Sequence, residues 1–500
     1  MKEWTRAERY RQLQKQDTAE LQVLHQQIAQ SLWRGCYHVQ PVTGLLNDPN
    51  GFSYWRGKWH LFYQYFPFGP VHGLKYWYLV ESDDLLHWQN EGIRLYPDKD
   101  YDNRGCYSGS AYFEDDQKLY LAYTGNHRTP DWIRHPYQIV AEMKPDGTII
   151  KPDKPTILPK DGYTEHQRDP KLFRYDDHYD ILVGAQRNDG TGALLLYRSD
   201  KIEGPWKFHK ELTIDGWNKD TFMLECPDLE KIGGKWILLF SPQGMKAEGT
   251  RFQNKYNNTY LIGRFDEENA VFYPEGDLKE LDEGFDFYAA QCAYQNTMKD
   301  AAVLEGWVGC GDMVYPPSDE EGWSGMLSLA RKLTIEDGKL KQRPAADLSQ
   351  LKDKCIFKAE KGEIKHDEML GMMPSACVIE VGNPDDADVK LNLFSTTMTR
   401  GLEISYSSRK KELVLDRGTL HNPINPDFGT TRTVILEKGL DQLQVFMDGS
   451  TAEVFVNDGE TVMTCRLFPE KDENLFRISG KNIDAAVYAA KRTVQDDFRM

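Results

Sequence analysis

Three short acidic motifs contain the residues of this chain that are most able to do chemistry. They are Asn47-Asp48-Pro49-Asn50-Gly51, Arg168-Asp169-Pro170-Lys171 and Glu225-Cys226-Pro227-Asp228. Each acid precedes an aromatic or aliphatic run, which starts at Lys58, His178 or Lys235, by 10, 9 and 10 residues. Two carboxyl groups that flank an acetal can hydrolyse it, because one protonates the leaving oxygen while the other attacks or activates water. The pattern therefore predicts a glycosidase-type centre built on Asp48 and Glu225, with Asp169 as a third acid.

The runs that follow these motifs belong to a longer repeat. Copies start at Lys58, Lys118, His178 and Lys235, and a looser copy starts at Ala301, at intervals of 60, 60, 57 and about 66 residues. Sixty residues suit a four-stranded antiparallel sheet with its connections, and five such sheets arranged radially form a β-propeller. The acids would then lie on or near the innermost strands and meet in one funnel. We expect a five-bladed propeller catalytic domain over residues 33–340.

The flanking regions predict one further domain and a helical segment. Residues 1–32 contain no Gly or Pro and place leucines at helical spacing, which favours one amphipathic helix or two packed on the body. A polar stretch over 341–355 is expected to be a linker. Alternating short strands follow, with Asp448-Gly449 as a hairpin turn, so residues 356–500 are expected to form a β-sandwich. The predicted fold class is all-β apart from the short N-terminal helical segment.

Composition restricts the partners and the compartment. The net charge of −17 argues against nucleic-acid and anionic-membrane partners, which bind basic surfaces. Eight scattered cysteines without a Cys-x-x-Cys pair indicate reduced thiols rather than a disulfide framework. The charged N-terminus has no apolar core of signal-peptide length, and no run of eighteen apolar residues occurs, so we expect a cytoplasmic protein without a membrane span. The sequence carries no signal for an oligomeric state.

Each acidic motif taken alone is typical of an ordinary turn or a surface ion pair, and only their repetition in phase favours a catalytic site. Arg168 and Lys171 are expected to favour the ionised form of Asp169, which would suit the orientation of sugar hydroxyls. Trp323 is flanked by small residues, which makes it a candidate wall of a sugar pocket. Gln64 could bond either a sugar hydroxyl or the backbone. No histidine cluster accompanies the acids, so neither a metal nor another cofactor is expected.

Further motifs extend the pattern over both predicted domains. They are Phe62-Tyr63-Gln64, Tyr107-Ser108-Gly109-Ser110, Asp286-Phe287-Tyr288-Ala289, Trp323-Ser324-Gly325-Met326 and the strand at 453–459. Together with the acidic motifs, and in this order, they resemble glycoside hydrolase family 32. The resemblance implies a five-bladed propeller followed by a β-sandwich, and retention of configuration at the fructosyl C2 atom.

The resemblance also implies a role for each matching residue. Asp48 would be the nucleophile, Glu225 the acid/base, and Asp169 the group that stabilises the transition state through the fructose hydroxyls. Asn47, Gln64, Ser108 and Arg168 would line the fructose pocket. Tyr288 and Trp323, which lie in two of the shared motifs, complete the expected substrate-binding set together with His72 and Lys75.

His72 and Lys75 lie where the chain departs from many family members. His72 stands in place of a pocket tryptophan, and Ala330 stands in place of a usual proline. The segment His72-Gly73-Leu74-Lys75 is similar to that of bacterial members that act on sucrose 6-phosphate, and two basic groups could neutralise a sugar phosphate. Alternatively, Lys75 is solvated and His72 only fills the space of the missing tryptophan.

The expected activity is that of an intracellular β-fructofuranosidase acting on sucrose 6-phosphate and on sucrose by double displacement. Three alternatives remain open from the sequence. One is a fructanase or levanase of the same family. Another is an inverting pentose-releasing propeller glycosidase, whose acids would lie roughly 6.5–9.5 Å apart. The last is a non-catalytic fructan-binding propeller, which the intact Asp48 and Glu225 disfavour.

Overall fold

The computed structural model describes residues 2–361, 363–364 and 369–500. Met1 of the predicted N-terminal segment, and residues 362 and 365–368 of the predicted sandwich, lie outside the described residues. The described chain is nearly all-β, and its helices are α1 (Arg6–Arg9), α2 (Asp17–Ile28) and α3 (Pro316–Glu321). No helix in the described ranges is long and apolar enough to cross a membrane. All eight cysteines fall within these ranges, and each is a free thiol.

The predicted N-terminal segment forms two helices rather than one. Leu21 and Ile28 of α2 are buried against the body of the protein, in clusters that contain Leu45 and Val308 respectively. The leucine spacing therefore marks the face of α2 that packs against the body of the protein, as expected for a helix that gains its stability from tertiary contacts.

The N-terminal domain is propeller-like and consists of successive antiparallel groups of strands. The first group is β1 (Gly44–Trp55), β2 (Lys58–Phe66), β3 (Tyr76–Ser82) and β4 (Trp88–Leu95). The second is β5 (Cys106–Tyr112), β6 (Leu119–Arg128), β7 (Arg134–Met143) and β8 (Ile149–Ile150). The third is β9 (Tyr163–Tyr175), β10 (His178–Arg187), β11 (Gly192–Ser199) and β12 (Lys207–Ile214).

Two further groups complete this domain. The fourth is β13 (Met223–Ile232), β14 (Lys235–Gln243), β15 (Thr259–Asp266) and β16 (Val271–Pro274), with β17 (Lys279–Glu280) paired to β15. The fifth contains β18 (Tyr288–Cys292), β19 (Ala302–Val308), β21 (Met326–Leu327), β22 (Arg331–Glu336) and β23 (Lys339–Pro344). The short β20 (Trp323–Ser324) joins β1 of the first group, and parallel pairing of β12 with β16 merges the third and fourth groups into one sheet.

The first strands of the five groups are joined in a closed ring by side chains that bond to the backbone of another first strand. The links are Gly109 N to Asn50 Oδ1 (3.0 Å), Ser110 Oγ to the Pro170 carbonyl (2.8 Å), Cys226 N to Asp169 Oδ2 (3.0 Å), Cys292 N to Asp228 Oδ2 (2.8 Å) and Phe52 N to Gln291 Oε1 (3.1 Å). Each link crosses from one strand group to another. The ring therefore fixes the first strands relative to one another.

A break in register occurs at the corresponding place of every first strand. The breaks lie between Leu46 and Pro49, Cys106 and Gly109, Arg168 and Lys171, Glu225 and Asp228, and Tyr288 and Gln291. Such a bulge bends the strand and redirects a side chain. Pro49, Pro170 and Pro227 fit there because proline has no N–H to pair in a ladder. The predicted acidic motifs are thus the bulges of three first strands.

The C-terminal domain is sandwich-like and contains two six-stranded sheets. One sheet is β24 (Lys352–Ala359), β35 (Asp484–Ala490), β26 (Ala376–Gly382), β31 (Gln442–Asp448), β32 (Thr451–Val456) and β33 (Thr461–Arg466). The other is β25 (Met369–Met372), β34 (Leu475–Gly480), β27 (Val389–Ser395), β28 (Leu402–Ser407), β29 (Glu412–Asp416) and β30 (Thr431–Ile435). Buried residues of both sheets, such as Ile379 and Leu391, share one core. The hairpin predicted at Asp448-Gly449 is confirmed, since Asp448 pairs with Thr451.

The two ends of the C-terminal part differ from the predicted boundaries. Strands β23 and β24 occupy both ends of the predicted linker 341–355, so the connection between them is residues 345–351, which include a 3₁₀ helix (Leu348–Leu351). The polar residues of 341–344 belong to an antiparallel hairpin with β22 and not to a free linker. Residues 491–500 leave the sandwich and return to the first group, where Gln495 N donates to the Trp88 carbonyl (3.0 Å).

A buried ionic network joins the two domains at Arg331. Its Nη2 atom lies 2.9 Å from Asp282 Oδ2 and 2.7 Å from Glu453 Oε2, and all three side chains are inaccessible to solvent. Glu453 is also 3.0 Å from His38 Nε2, and His38 Nδ1 is 2.9 Å from Asp448. Burial opposes the charge on His38, but hydrogen bonds to Asp448 and Glu453 raise its pKa to about 9. The network is therefore charged on both sides of the domain boundary.

We expect Arg331→Met to destabilise the protein by about 3–5 kcal/mol, because it leaves the buried Asp282 carboxylate without a cation and leaves Glu453 with His38 alone. Urea unfolding followed by tryptophan fluorescence measures the change. Arg343→Met is the matched control at the same boundary, since Arg343 pairs with Glu336 and Asp458 at a partly exposed position. In that control the free energy of unfolding should fall by only about 0–1 kcal/mol. Equal costs for the two variants would contradict a structural role specific to the buried network.

Candidate active site

The three motif acids meet in one cavity of about 340 Å³ at the centre of the ring of first strands. Asp48 comes from β1, Asp169 from β9 and Glu225 from β13. Six of the other predicted site residues also line this cavity, namely Asn47, Gln64, His72, Lys75, Arg168 and Tyr288. Ser108 lies directly behind Asp48, and Trp323 lies elsewhere.

Asp48 is held by a short chain of amide and hydroxyl groups. Its Oδ1 accepts from Asn47 Nδ2 (3.1 Å) and its Oδ2 accepts from Ser108 Oγ (2.5 Å). Gln64 bonds to both supports, because its Oε1 accepts from Asn47 (3.0 Å) and its Nε2 donates to Ser108. Burial raises the pKa of Asp48, and the bonds from Ser108 and Asn47 oppose this rise. These hydrogen bonds hold the Asp48 carboxyl group in one fixed orientation.

Asp169 occupies the most strained position of its bulge. Its φ is +66°, a left-handed conformation that is uncommon for residues other than glycine. The conformation is held from both ends, since its N–H donates to Thr124 Oγ1 (3.0 Å) and its Oδ2 accepts from Cys226 N (3.0 Å). Such strain persists where the surrounding structure over-determines it, as at active sites.

The charge state expected for Asp169 needs a correction. Burial raises its pKa to about 7, and nearby Glu225 and Asp48 add to the rise, while Arg168 only partly offsets it. Arg168 therefore acts on Asp169 in the expected direction without outweighing burial. Lys171 does not pair with Asp169, because it lies 2.7 Å from Asp228 and 2.6 Å from Glu230.

Glu225 is the acid to which Arg168 binds. Its Oε1 accepts from Arg168 Nε (2.9 Å) and Nη2 (2.5 Å), and its Oε2 accepts from Tyr288 OH (2.5 Å) and Gln243 Nε2 (2.7 Å). Gln243, at the end of β14, was not predicted, because no acidic or aromatic pattern marks it. Both carboxylate oxygens are thus occupied in the resting cavity.

Lys75 and His72 lie in the cavity but are not a pair of charged groups at its surface. The buried Lys75 Nζ donates to Asn47 Oδ1 (2.5 Å), and burial lowers its pKa to about 7 although Asp48 acts in the opposite direction. His72 Nε2 donates to the Gly311 carbonyl (2.9 Å), and burial lowers its pKa to about 3, so the ring is neutral. A solvated Lys75 is excluded, and His72 packs edge-on against Trp307 at 6.1 Å.

Trp323 lies outside the cavity, contrary to the expectation. Its side chain is fully buried against Ile28, Val308 and Met326, and its Nε1 donates to Glu321 (3.0 Å). The neighbouring small residues serve backbone packing instead, since a Cβ at Gly325 would lie 2.0 Å from the Leu46 carbonyl oxygen. The aromatic residues that do line the cavity are Tyr10, Tyr107, Tyr256, Tyr288 and Trp307.

Comparison with known proteins agrees with this geometry. The sequence profile of the glycosyl hydrolases family 32 N-terminal domain matches residues 38–344, and the profile of the family 32 C-terminal domain matches residues 358–493. The chain belongs to glycoside hydrolase family 32. It is therefore a glycoside hydrolase with a propeller-like domain followed by a sandwich-like domain.

Several family 32 proteins are similar over nearly the whole chain. A sucrose-6-phosphate hydrolase of Staphylococcus xylosus is 41% identical over 95% of this chain and 94% of its own length. The solved structure of sucrose-6-phosphate hydrolase from Lactobacillus gasseri has a TM-score of 0.90 and 37% identity, and the match covers 98% of this chain and 100% of that one. A Bombyx mori family 32 β-fructofuranosidase, solved in complex with sucrose, has a TM-score of 0.81 and 28% identity, and the match covers 97% and 100% of the two chains.

The raised pKa of Asp169 predicts a specific pH dependence of stability. Between about pH 4 and 7 the folded chain binds a proton at Asp169 that the unfolded chain releases, so this group costs more stability as pH rises through that window. Asp169→Asn removes the titration but can still accept a hydrogen bond from Cys226. We expect the variant to gain stability relative to wild type as pH rises, by on the order of 2 kcal/mol above pH 7.

Calorimetric Tm values at pH 4.5, 6 and 8 check this prediction. Asp337→Asn, in the exposed turn between β22 and β23, is the control and should follow wild type at each pH. A constant difference between Asp169→Asn and wild type across the range would show that Asp169 does not titrate there.

Proposed function

We propose that this chain is a retaining β-fructofuranosidase that hydrolyses sucrose 6-phosphate and also sucrose. The observation that carries the proposal is the meeting of Asp48, Asp169 and Glu225, from three first strands, in one cavity of a family 32 enzyme. The bacterial relatives named as sucrose-6-phosphate hydrolases, at up to 41% identity, support the phosphorylated substrate. A phosphorylated disaccharide arises on uptake into the cell, so we place the enzyme in the cytoplasm.

The proposal includes a finer description of the architecture. Each of the five strand groups would be one blade of a five-bladed propeller over residues 33–340, with the first strands innermost. The closed ring of bonds among β1, β5, β9, β13 and β18 supports this arrangement. Residues 1–32 would be an N-terminal helical segment, residues 345–351 would connect the two domains, and the sandwich domain would run from β24 to β35.

In the first chemical step, the Asp48 carboxylate attacks the fructosyl C2 atom. A covalent C2–O bond to Asp48 forms while the bond from C2 to the glucosyl oxygen breaks, and Glu225 gives its proton to that oxygen. Asn47 and Ser108 hold the attacking carboxyl at fixed depth, so little orientation is lost on reaching the transition state. The two carboxyl groups of a retaining enzyme lie roughly 5–5.5 Å apart.

In the second step, Glu225 takes a proton from water as the water oxygen attacks C2 and releases Asp48. Arg168 and Tyr288 hold the two oxygens of Glu225 and thereby direct its proton toward one face of the cavity. Asp169 accepts hydrogen bonds from fructosyl hydroxyls, and these strengthen as positive charge develops on the ring. Asn47, Gln64 and Lys75 are the further polar groups of the fructose pocket.

A small disaccharide suits this cavity better than a fructan chain. The cavity of about 340 Å³ lies at the small end of the range of ligand sites. Tyr10 of the N-terminal segment and Asp312 of the segment before α3 form part of its wall. An enzyme for long fructans would need an open groove at this place.

We expect Glu225→Gln to lower kcat by about 10²–10⁴-fold, because the variant has neither an acid nor a base at this position. Asp48→Asn should abolish turnover to at least a similar extent. Asp337→Asn serves as the control for both and should match wild type. ¹H NMR of the first product should show the β anomer of fructose. Near-normal turnover by Asp48→Asn, or release of the α anomer, would overturn the proposed mechanism.

Substrate preference is tested on the wild-type enzyme. We expect kcat/KM for sucrose 6-phosphate to exceed that for sucrose by at least about tenfold, the effect of a single charge-assisted contact. Inulin and levan serve as comparison substrates and should be hydrolysed poorly. Equal values for the two disaccharides would remove the phosphate from the proposal, whereas a preference for inulin or levan would favour a fructanase.

A further inference from the structure

A cluster of arginines lies beside the active cavity although the protein carries a net charge of −17. Arg104 precedes β5, Arg128 is the last residue of β6, and Arg134 is the first residue of β7. Their hydrogen bonds go to neutral oxygens, namely the Asn103 carbonyl (2.7 Å), the Trp132 carbonyl (2.9 Å) and Asn126 Oδ1 (3.0 Å). Among the described residues none of the three has a carboxylate within ion-pair distance. This contrasts with Arg168, which is paired with Glu225.

An aromatic residue holds this cluster together. Trp132, in the turn between β6 and β7, has a φ of +69°. The guanidinium groups of Arg128 and Arg104 lie 5.2 and 5.6 Å from its ring centroid, and Tyr10 packs on it edge-on at 5.1 Å. Cation–π contacts of this kind fix the arginines without neutralising them. The Nε atoms of Arg104 and Arg128 are buried and have no partner among the described residues.

Among the three arginines, Arg134 lines the same cavity as the catalytic acids. Arg134, Tyr10, Tyr107 and His166 all line it, and the Arg134 guanidinium lies 5.1 Å from the Tyr107 ring centroid. Burial lowers the pKa of Arg134, and the nearby charges of Arg168 and Arg128 lower it further. An uncompensated group of like charges in a partly buried site is costly, and a bound anion relieves that cost.

His166 connects the cluster to the acid/base. Its Nδ1 accepts from Arg168 Nη1 (3.0 Å), and Arg168 in turn donates to Glu225. Burial lowers the pKa of His166 to about 4, so the neutral ring carries its proton on Nε2 and can donate there. The cluster therefore lies on the Glu225 side of the cavity, where the leaving glucosyl group must stand when Glu225 protonates its oxygen.

His72 and Lys75 cannot serve as this anion site. His72 is neutral and is bonded to the Gly311 carbonyl, while Lys75 is buried beside Asn47 and Asp48 in the fructose pocket. A phosphate there would meet the Asp48 carboxylate. The phosphate selectivity predicted for these two residues must therefore reside elsewhere in the cavity.

We propose that Arg134 binds the 6-phosphate of the glucosyl group, with Arg128 as a second charge and with Tyr10 and His166 as neutral donors. The ligand class is a phosphomonoester dianion on the leaving group, and the assignment rests on the proposed function. The planar guanidinium matches two phosphate oxygens at once, which a lysine ammonium cannot do. The site is completed by the N-terminal segment, since Tyr10 lies directly after α1.

The test compares Arg134→Ala, Arg134→Lys and Arg128→Gln with wild type on sucrose 6-phosphate and on sucrose. We expect the ratio of kcat/KM values for the two substrates to fall by about 10–100-fold in Arg134→Ala, mainly through KM because the phosphate is remote from C2. Arg134→Lys should recover part of the ratio, and Arg128→Gln should lower it to a smaller extent. Arg264→Ala, an exposed arginine on β15, is the control and should leave both activities unchanged.

A second measurement separates this inference from the proposed function. Glucose 6-phosphate should inhibit wild type more strongly than glucose, and Arg134→Ala should lose that difference even if catalysis is weak. A wild type that prefers sucrose 6-phosphate, with the same ratio in Arg134→Ala and Arg128→Gln, would refute the arginine site and leave the proposed function standing. Equal inhibition of wild type by glucose 6-phosphate and glucose would also refute it. Preferential inhibition by glucose 6-phosphate without a substrate preference would retain the site and refute the proposed substrate.

Discussion

The closed ring of side-chain to backbone bonds among the five first strands determines where the three proposed catalytic acids lie. Apart from β1, which also pairs with the two-residue β20, each first strand has one neighbour within its sheet, so its other edge presents backbone groups that need partners. Asn50, Ser110, Asp169, Asp228 and Gln291 satisfy them, each across to another strand group. Asn50, Asp169 and Asp228 belong to the same motifs as the proposed catalytic acids. The residues that join the strand groups and those proposed to do the chemistry therefore lie in the same short segments.

The cavity concentrates charge that the fold can hold only through specific partners. Burial raises the pKa values of Asp48 and Asp169, while it lowers those of Lys75 and His72. Arg168 lies between Glu225 and His166, so one guanidinium orients both the proposed acid/base and a neutral histidine ring. Perturbed groups of both signs in one cleft are typical of active sites. These buried groups lower the stability of the fold locally, and the packing of the surrounding strands compensates for this loss.

The sequence was most informative where the chain repeats and least informative where contacts are single and distant. The repeat located the second strands of the groups, and the phase of the acids located the bulges on the first strands of three of them. The sequence could not identify the partner of Arg168, because Glu225 is 57 residues away along the chain. Trp323 was misplaced because glycines beside it were taken as space for a ligand, whereas Gly325 serves a close backbone approach. The cluster around Arg134 has no repeat to mark it, because its residues come from the N-terminal segment, β6, β7 and β9 and meet only in the folded structure.

The return of residues 491–500 to the first strand group has a consequence for the order of folding. Asp496 accepts from His25 of α2 across 471 residues of sequence, and it also forms an ion pair with Arg34. Tyr78 of β3 donates to the Arg499 carbonyl (2.8 Å). Contacts of such high sequence separation form late, since loop closure must precede them. The segment that carries Tyr10 to the cavity therefore docks against a surface completed by the far end of the chain, and the mouth of the active site is among the last parts of the molecule to take shape.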